Sequence, residues 1–333
     1  MSKPINLTEI ARRVGVSKTT VSRTISNTGR ISQKTRDKIH KAMKETGCLP
    51  SRVARRLRNS GKCHLIGLIV PNIQNSFFAD LARGVEDVAY SSDYAVLLCN
   101  YDEDPVKEQF YLNVMLSESV DGVIIPPISD SDPAVLEFIK TGIPVVSVDR
   151  SITNSDMDKV QLDNRFGAFE ATSYLIKKGH TRIGIISGPI NSSTGRERLE
   201  GYLNALENAK IPQQPELICY GDFKEESGRH ITKQLLSMRP PPTAIFAANG
   251  SMAIGMLEAI NTLKLQIPSQ IAVANFDDLP LAAVFNPQLT VVRQPAYQIG
   301  SEAASLLLKR IENPSRPTVN VTLKPELVIR NSS

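Results

Sequence analysis

The sequence has no tryptophan, only 5% aromatic residues, and just four cysteines and four histidines among its 333 residues. Cys48, Cys63, Cys99 and Cys219 lie far apart with no C-x-x-C, and His40, His64, His180 and His230 are as scattered, so neither a disulfide framework nor a zinc site is expected. The adjacent Cys63-His64 pair is too close for two metal ligands and reads as the entry to a strand. No apolar run approaches the ~20 residues of a membrane span, and MSKPINLTEIARRVGV lacks the apolar core of a signal peptide. A cytoplasmic protein is therefore expected. Also missing are the phosphate loop G-x-x-x-x-G-K-[ST], a G-x-G-x-x-G after the first strand, the nucleophile turn G-x-S-x-G and the zinc motif H-E-x-x-H. Ser187-Gly188-Pro189 comes nearest to a phosphate loop and has no lysine. Asp277-Asp278 is a carboxylate pair, but sequence neighbours rarely flank one scissile bond at the separation that glycoside hydrolysis needs. Catalysis is not expected, and no cofactor is implied.

What is present is a lopsided charge. With 41% apolar and 22% charged residues the chain is a globular protein of two or three domains. Its net charge of +5 hides a division, because residues 1–62 carry sixteen Lys/Arg against Glu9, Asp37 and Glu45, a net +13, leaving −8 for the remainder. A basic head on an acidic body points to a polyanion-binding module fused to a part that need not touch the polyanion.

The head reads as three short helices. Asn6 has the form of an N-cap with Glu9 at the third helical position, and Ile10, Ala11 and Val14 repeat at helical spacing. Gly15 can supply the left-handed stop, Ser17 can cap a second helix over Lys18 to Ser26, and Val21 and Ile25 share its inner face. Small Ala11 lets the two helices approach. Lys18, Thr19, Ser22 and Arg23 are left on the outer face of a helix-turn-helix, as base-reading or phosphate-reading side chains. A third helix fits Ser32 as cap, Gln33 to Thr46 as body with Ile39, Ala42 and Met43 inward, and Gly47 just past the end. Next comes SRVARRLRNSG, too short to be a stable helix alone. It reads equally as a linker or as a basic helix that forms on pairing with its twin and wedges Leu57 into a minor groove.

From His64 onward β-rich runs recur with helical patterns between them: LIGLIV (65–70), YAVLLC (94–99), GVIIPP (122–127), PVVSVD (144–149), KVQLD, RIGIIS (182–187), AIFAAN (244–249) and IAVANF (271–276). This rhythm predicts an α/β body of two doubly wound parallel sheets, dividing near Asp163. Ligands of such sheets bind outside the carboxyl ends of the strands. The polar residues there include Asn72, Asn75, Asp149-Arg150, Asp163, Thr194 to Arg198, Asn249, Asp277-Asp278 and Gln294, with Phe77 and Phe78 beside Asn75. Aromatic faces for C–H groups and charged groups for hydroxyls suit a polar, hydroxyl-rich small molecule. Taken singly, the two Phe are better read as core, Asp149-Arg150 as a surface ion pair and Asp277-Asp278 as a turn cap; their joint placement at strand ends favours a site.

LTEIARRVGVSKTTVSRTISNTGRISQKTRDKI, followed by LPSRVARRLR, resembles the DNA-binding head and hinge of the lactose-repressor (LacI/GalR) family of bacterial transcription regulators, and the similarity runs over essentially the whole chain. The resemblance implies operator-base contacts from Lys18, Thr19 and Arg23, and hinge contacts from Ala54, Arg55 and an intercalating Leu57. The body is similar to periplasmic sugar-binding proteins of the ribose type. This implies effector contacts from Asn75, Phe77, Phe78, Asp149, Arg150, Asp163, Arg198, Asn249, Asp277 and Gln294, to which strand-end placement adds Thr194. The implied effector is a ribose-like pentose or related monosaccharide, with a sugar acid or other small metabolite as the alternative. The purine-responsive branch favours an Arg where this chain has Ser192 and an aromatic where it has Arg150. Gly250 departs from the usual Asp after Asn249.

The implied organisation is a helix-turn-helix domain (1–48), a hinge (49–62), one effector subdomain from 63–163 and 293–322, and another from 164–292 and 323–333, with crossings near Asp163, Arg293 and Leu323. The expected partners are a pseudo-palindromic double-stranded DNA operator, a second copy of the chain and a small sugar, with no membrane. Nucleoid association follows from DNA binding, and the absence of a heptad tail argues against a tetramerising coil. A free sugar-transport protein would need no basic head, and a recombinase would need a nucleophile and base cluster that is not visible.

Overall fold

The computed structural model describes residues 7–25, 29–46, 62–280, 284 and 286–333. The expected Asn6 cap, Gly47, and the hinge residues Ala54, Arg55 and Leu57 lie outside these. Two compact units divide the chain, residues 1–65 with 119–121 and residues 66–118 with 122–333.

In the first unit, α1 (Leu7–Val14), α2 (Lys18–Ile25) and α3 (Gln33–Thr46) form the head. Gly15 takes φ +73°, and the Val16 amide reaches back to the Ala11 carbonyl at 3.0 Å, closing α1 with the left-handed stop its glycine predicts. Ser17 Oγ then accepts from the Thr20 amide at 3.1 Å and starts α2, as Ser32 Oγ does for α3 through the Thr35 amide at 3.3 Å. Ile10, Ala11, Val21, Ile25, Ile39 and Met43 are the buried core. Each such aliphatic side chain stabilises by about 1.5–3 kcal/mol on full burial, which makes a small core and a marginal domain.

The second unit holds two six-stranded sheets. The first has the order β11-β5-β4-β3-β1-β2, from β1 (Leu65–Val70), β2 (Ala95–Asn100), β3 (Gly122–Ile125), β4 (Val145–Val148), β5 (Asp158–Leu162) and β11 (Asn320–Leu323). The second has the order β12-β10-β9-β8-β6-β7, from β6 (Ile183–Ser187), β7 (Ile218–Tyr220), β8 (Ala244–Ala247), β9 (Ala272–Phe276), β10 (Thr290–Arg293) and β12 (Glu326–Val328). β1, β3, β4, β5 and β11 run parallel, as do β6 to β10, while β12 lies antiparallel to β10. Helices α4 (Ser76–Ser91), α5 (Pro105–Glu118), α6 (Pro133–Ile139) and α11 (Ala296–Glu312) belong to the first lobe, and α7 (Asn164–Lys177), α8 (Ser193–Asn208), α9 (Glu225–Ser237) and α10 (Gly250–Thr262) to the second. β3 and β6 are buried along their length and β1 from Ile66 onward, as strands covered on both faces must be.

The chain leaves the first sheet after Leu162, returns after Arg293 and crosses again after Leu323. Three strands had no clear signature in the sequence. β7 and β12 have three residues each and β11 four; all three are edge strands with partly exposed residues, so none carries a long apolar run. Among the described residues, no helix is long and apolar enough to cross a membrane.

Candidate functional site

On the head, Lys18, Thr19 and Arg23 are exposed along α2 and Ser22 is half-buried, while Val21, Thr24 and Ile25 hold the opposite face in the core. Thr24 Oγ1 donates to the Thr20 carbonyl at 2.9 Å, so the polar side chain of the inner face is satisfied within its own helix. The outer face is thus free of any role in the head's apolar core.

In the body, a cavity of about 380 Å³ opens at the carboxyl ends of both sheets. Pro71, Asn72, Gln74, Asn75, Phe77 and Phe78 enter from the end of β1, Asp102 and Glu103 from β2, and Asp149 and Arg150 from β4. The second lobe supplies Thr194 and Arg198 on α8, Phe223, Lys224 and Glu225 after β7, Asn249 and Ser251 after β8, Asp277 after β9 and Gln294 after β10. Parallel strands end on one side of a sheet, so residues from eight places in the sequence converge.

Several of these side chains are fixed by helix starts. Asn75 Oδ1 accepts from the Phe77 amide at 3.0 Å and Asn249 Oδ1 from the Met252 amide at 2.9 Å. Phe77 and Phe78 meet edge to face, 4.9 Å between centroids, and serve both the core and the cavity wall. The backbone is strained at the same place. Of eleven non-glycine residues with positive φ among the described residues, Asp102, Glu103, Asp149, Phe223 and Asp277 line the cavity. Such outliers gather where the surroundings hold a side chain for a task.

The charges are buried and interlocked. Arg198, 3% exposed, donates from Nε to Asn164 Oδ1 at 2.8 Å and from Nη1 to the Ala248 carbonyl at 2.6 Å, with its guanidinium 3.9 Å from the Phe276 ring centre. Burial holds its pKa below the usual value, against the pull of Asp277 and Asp149. Asp277 accepts from the Gly250 amide at 2.8 Å and from Gln294 Nε2 at 2.5 Å. Arg150 clamps Glu103 through both terminal nitrogens, at 2.7 and 2.5 Å, and lies over Phe223 at 5.2 Å. Burial opposes the Arg150 cation, and Glu103 more than reverses this, so its pKa is raised. Asp149 is pushed up to about 6 by burial, partly offset by Arg198 and Arg150. Asp149 Oδ1, Arg150 Nε and Gln294 Oε1 are buried without a protein partner. Two acceptors and a donor in the cavity wall are therefore unsatisfied within the protein. Among the described residues no group of three His, Cys, Asp or Glu is placed to hold a metal ion.

Of the eleven residues expected here, ten line the cavity and Asp163 does not. Its Oδ1 accepts from the Phe166 amide at 3.0 Å and its own amide donates to the Leu323 carbonyl at 2.8 Å, so it caps α7 at the crossing. The Asp149-Arg150 pair is buried rather than on the surface, and Arg150 prefers Glu103 to its neighbour, whose carboxylate stands 3.8 Å from Nε. Asp278 turns away from this cavity and is held below the usual carboxylate range: burial raises it, and hydrogen bonds from Arg330 and Arg293 outweigh that. Gly250 is not in the lining; a Cβ there would sit 3.2 Å from Asp277 Oδ2, so the glycine lets Asp277 dock on the start of α10. Pro71, Gln74, Asp102, Glu103, Phe223, Lys224, Glu225 and Ser251 line the cavity without having been singled out by the sequence, and among them Asp102, Glu103 and Phe223 are instructive. Asp102 and Glu103 follow the run ending at Cys99 and obey the strand-end rule, whereas Phe223 follows β7, which has no legible signature.

Residues 6–51 match the family described as bacterial regulatory proteins, lacI family, and residues 172–333 match a periplasmic binding protein-like domain. The HTH-type transcriptional repressor PurR of Proteus mirabilis (strain HI4320) is 37% identical over 97% of this chain and 95% of its own. The chain belongs to the LacI family of transcription regulators. The ribose operon repressor of Escherichia coli (strain K12) is 35% identical over 98% of both chains. The lac repressor dimer bound to operator and an anti-inducer has the same architecture, with a TM-score of 0.83 and 27% identity over 99% of each chain. In LacI-family terms, the exposed face of α2 belongs to the DNA-binding head, and the cavity to the periplasmic-binding-protein-like body.

Proposed function

We propose that this chain represses transcription as a homodimer on a pseudo-palindromic operator, in the cytoplasm, under the control of a ribose-like pentose or related monosaccharide, and that it is not an enzyme. Lys18, Thr19 and Arg23 read bases in each half-site and Ser22 assists at the backbone, with Ala54, Arg55 and Leu57 acting at the operator centre. The effector contacts are Asn75, Phe77, Phe78, Asp149, Arg150, Thr194, Arg198, Asn249, Asp277 and Gln294. The observation that carries the reading is their convergence on one cavity between strand ends of two lobes. A ligand that touches both lobes biases their relative arrangement, and a coupling of about 1–3 kcal/mol is enough to shift operator binding. The contacts Arg196 to Asp130 and Ser151 amide to Ser193 Oγ, the latter at 3.3 Å, join α8 to loops of the first lobe and respond to such a shift. Domain bounds of 1–48, 49–62, 63–163 with 293–322, and 164–292 with 323–333 follow the same reading.

Two copies meet through the first lobe in this reading, where edge strand β2 and helices α4 and α5 expose Leu98, Tyr90, Val106 and Phe110. The identities to a PurR and a ribose repressor are nearly equal, so local residues decide between the two effectors. Ser192 is 2% exposed and shares a hydrogen bond with Thr194 at 3.0 Å, and Arg150 replaces the aromatic side chain of the purine branch. Both substitutions favour a sugar. D-Ribose at a hundred times its Kd is expected to stabilise the protein by about 2.7 kcal/mol in a thermal melt, with hypoxanthine giving no shift. A shift with hypoxanthine and none with any monosaccharide would sink the reading.

A further inference from the structure

Asp102 and Glu103 are consecutive non-glycine residues with φ +57° each, in the turn that follows β2. A turn with two left-handed positions is ordinarily filled by Gly or Asn, so the side chains here are kept against a backbone cost. Asp102 is tied down by Lys107 Nζ and Asn100 Nδ2, both at 2.5 Å. The turn so held delivers the Glu103 carboxylate to both terminal nitrogens of Arg150.

Two buried arginines in one cavity, with forks that match carboxylate and phosphate, would ordinarily make an anion site. Here the Arg150 fork is already filled by Glu103, and its buried Nε has the Asp149 carboxylate 3.8 Å away. Arg198 has two of its nitrogens committed to Asn164 and the Ala248 carbonyl. Five carboxylates line the cavity against three cations. Asp149 Oδ1 and Gln294 Oε1, buried acceptors of cavity-lining residues without a hydrogen-bond partner, match donors such as hydroxyls once their side chains turn to the cavity.

We propose that Glu103 sets the charge class of the effector, by filling the Arg150 fork and so making the cavity accept an uncharged polyhydroxy ligand and turn away sugar acids and sugar phosphates. This rests on the reading of the cavity as a monosaccharide site. Asp149 is in keeping with this: burial raises its pKa despite the opposing Arg198 and Arg150 charges, so desolvation in the cavity disfavours a further unpaired anion.

The test is calorimetric titration of the full-length wild type, Glu103→Gln and Glu103→Asp with D-ribose, D-ribonate and D-ribose 5-phosphate, after melts establish that each variant is folded. In the wild type both anions should bind more than tenfold more weakly than ribose. Glu103→Gln, which keeps the shape and loses the charge, should narrow that ratio tenfold or more, a change of about 1.4 kcal/mol. Glu103→Asp, which keeps the charge, should retain more of the discrimination than Gln does. A wild type that binds either anion as well as ribose, or a Gln variant with an unchanged ratio, overturns the role of Glu103 alone. No response of the wild type to any of the three overturns the monosaccharide reading and this proposal with it.

Discussion

In the head, Glu9 is partly exposed on α1, accepts from Arg12 at 2.7 and 2.9 Å and from Arg13 at 3.1 Å, and its pKa is lowered to about 2, first by those hydrogen bonds. In the body, Glu108 on α5 is 1% exposed with Oε1 unpartnered, and its pKa is raised to about 9, first by burial, then by the Asp132 and Glu103 carboxylates. The same carboxyl group is handled by water and cations in one region and by desolvation in the other. The contrast extends to the groups proposed to bind operator and effector. Those of the head stand on the outside of a helix whose core they do not enter, whereas those of the body are themselves buried and hold one another. On the proposed reading, function and stability are therefore separable in the head and fused in the body.

Arg198→Ala is the sharpest way to break that contrast. The substitution takes away a cation that acts on both Asp149 and Asp277, leaving Asp149 with Arg150 alone, and removes the hydrogen bonds to Asn164 and the Ala248 carbonyl. Removing one partner of a buried charge network costs about 3–5 kcal/mol, so the variant should lose that much in chemical denaturation and lose its ribose-induced melting shift as well. Loss of the ligand response with stability changed by less than about 1 kcal/mol would mean that the cavity is not a structural element of the body.

The same contrast decides what could be read from the sequence. Head chemistry is local: Ser17, Gly15 and the apolar spacing of Val21 and Ile25 set a helix, and the helix alone determines that Lys18, Thr19 and Arg23 face outward. Body chemistry is non-local. The strand-end rule found ten of the cavity residues because long apolar runs such as LIGLIV announce where strands stop. It failed at Phe223, since β7 is three residues of ICY on a sheet edge, and it mistook Asp163, whose place after a strand is also the start of α7. Glu103 lies in legible territory, but its clamp on Arg150 spans 47 residues, and only the fold brings the two together.

Arg23→Ala tests the head. The side chain is exposed, so stability should change by no more than about 0.5 kcal/mol, as for surface substitutions generally. Operator binding should nevertheless weaken by about 1–3 kcal/mol at one base position, measured by titration against a panel of single-base operator variants. An equal loss on every sequence would reassign Arg23 to phosphate, and a marked drop in melting temperature would remove the separation between function and stability.

Glu108→Gln probes how the body stores its acids. A carboxyl whose folded pKa lies above its unfolded value contributes stability that is complete below the unfolded value, near 4.5, and is lost as pH rises through about 9. Over that window the folded protein must keep a proton that the unfolded chain would release. Glutamine is neutral in both states and escapes this cost, although the amide has one more N–H to seat in the same space. The variant is expected to match the wild type near pH 5 and to exceed it by about 3–4 kcal/mol at pH 8, read from denaturation midpoints at the two values. A variant less stable than the wild type at pH 8 would mean that Glu108 is ionised and favourably bound, and the body would then treat this carboxylate as the head treats Glu9.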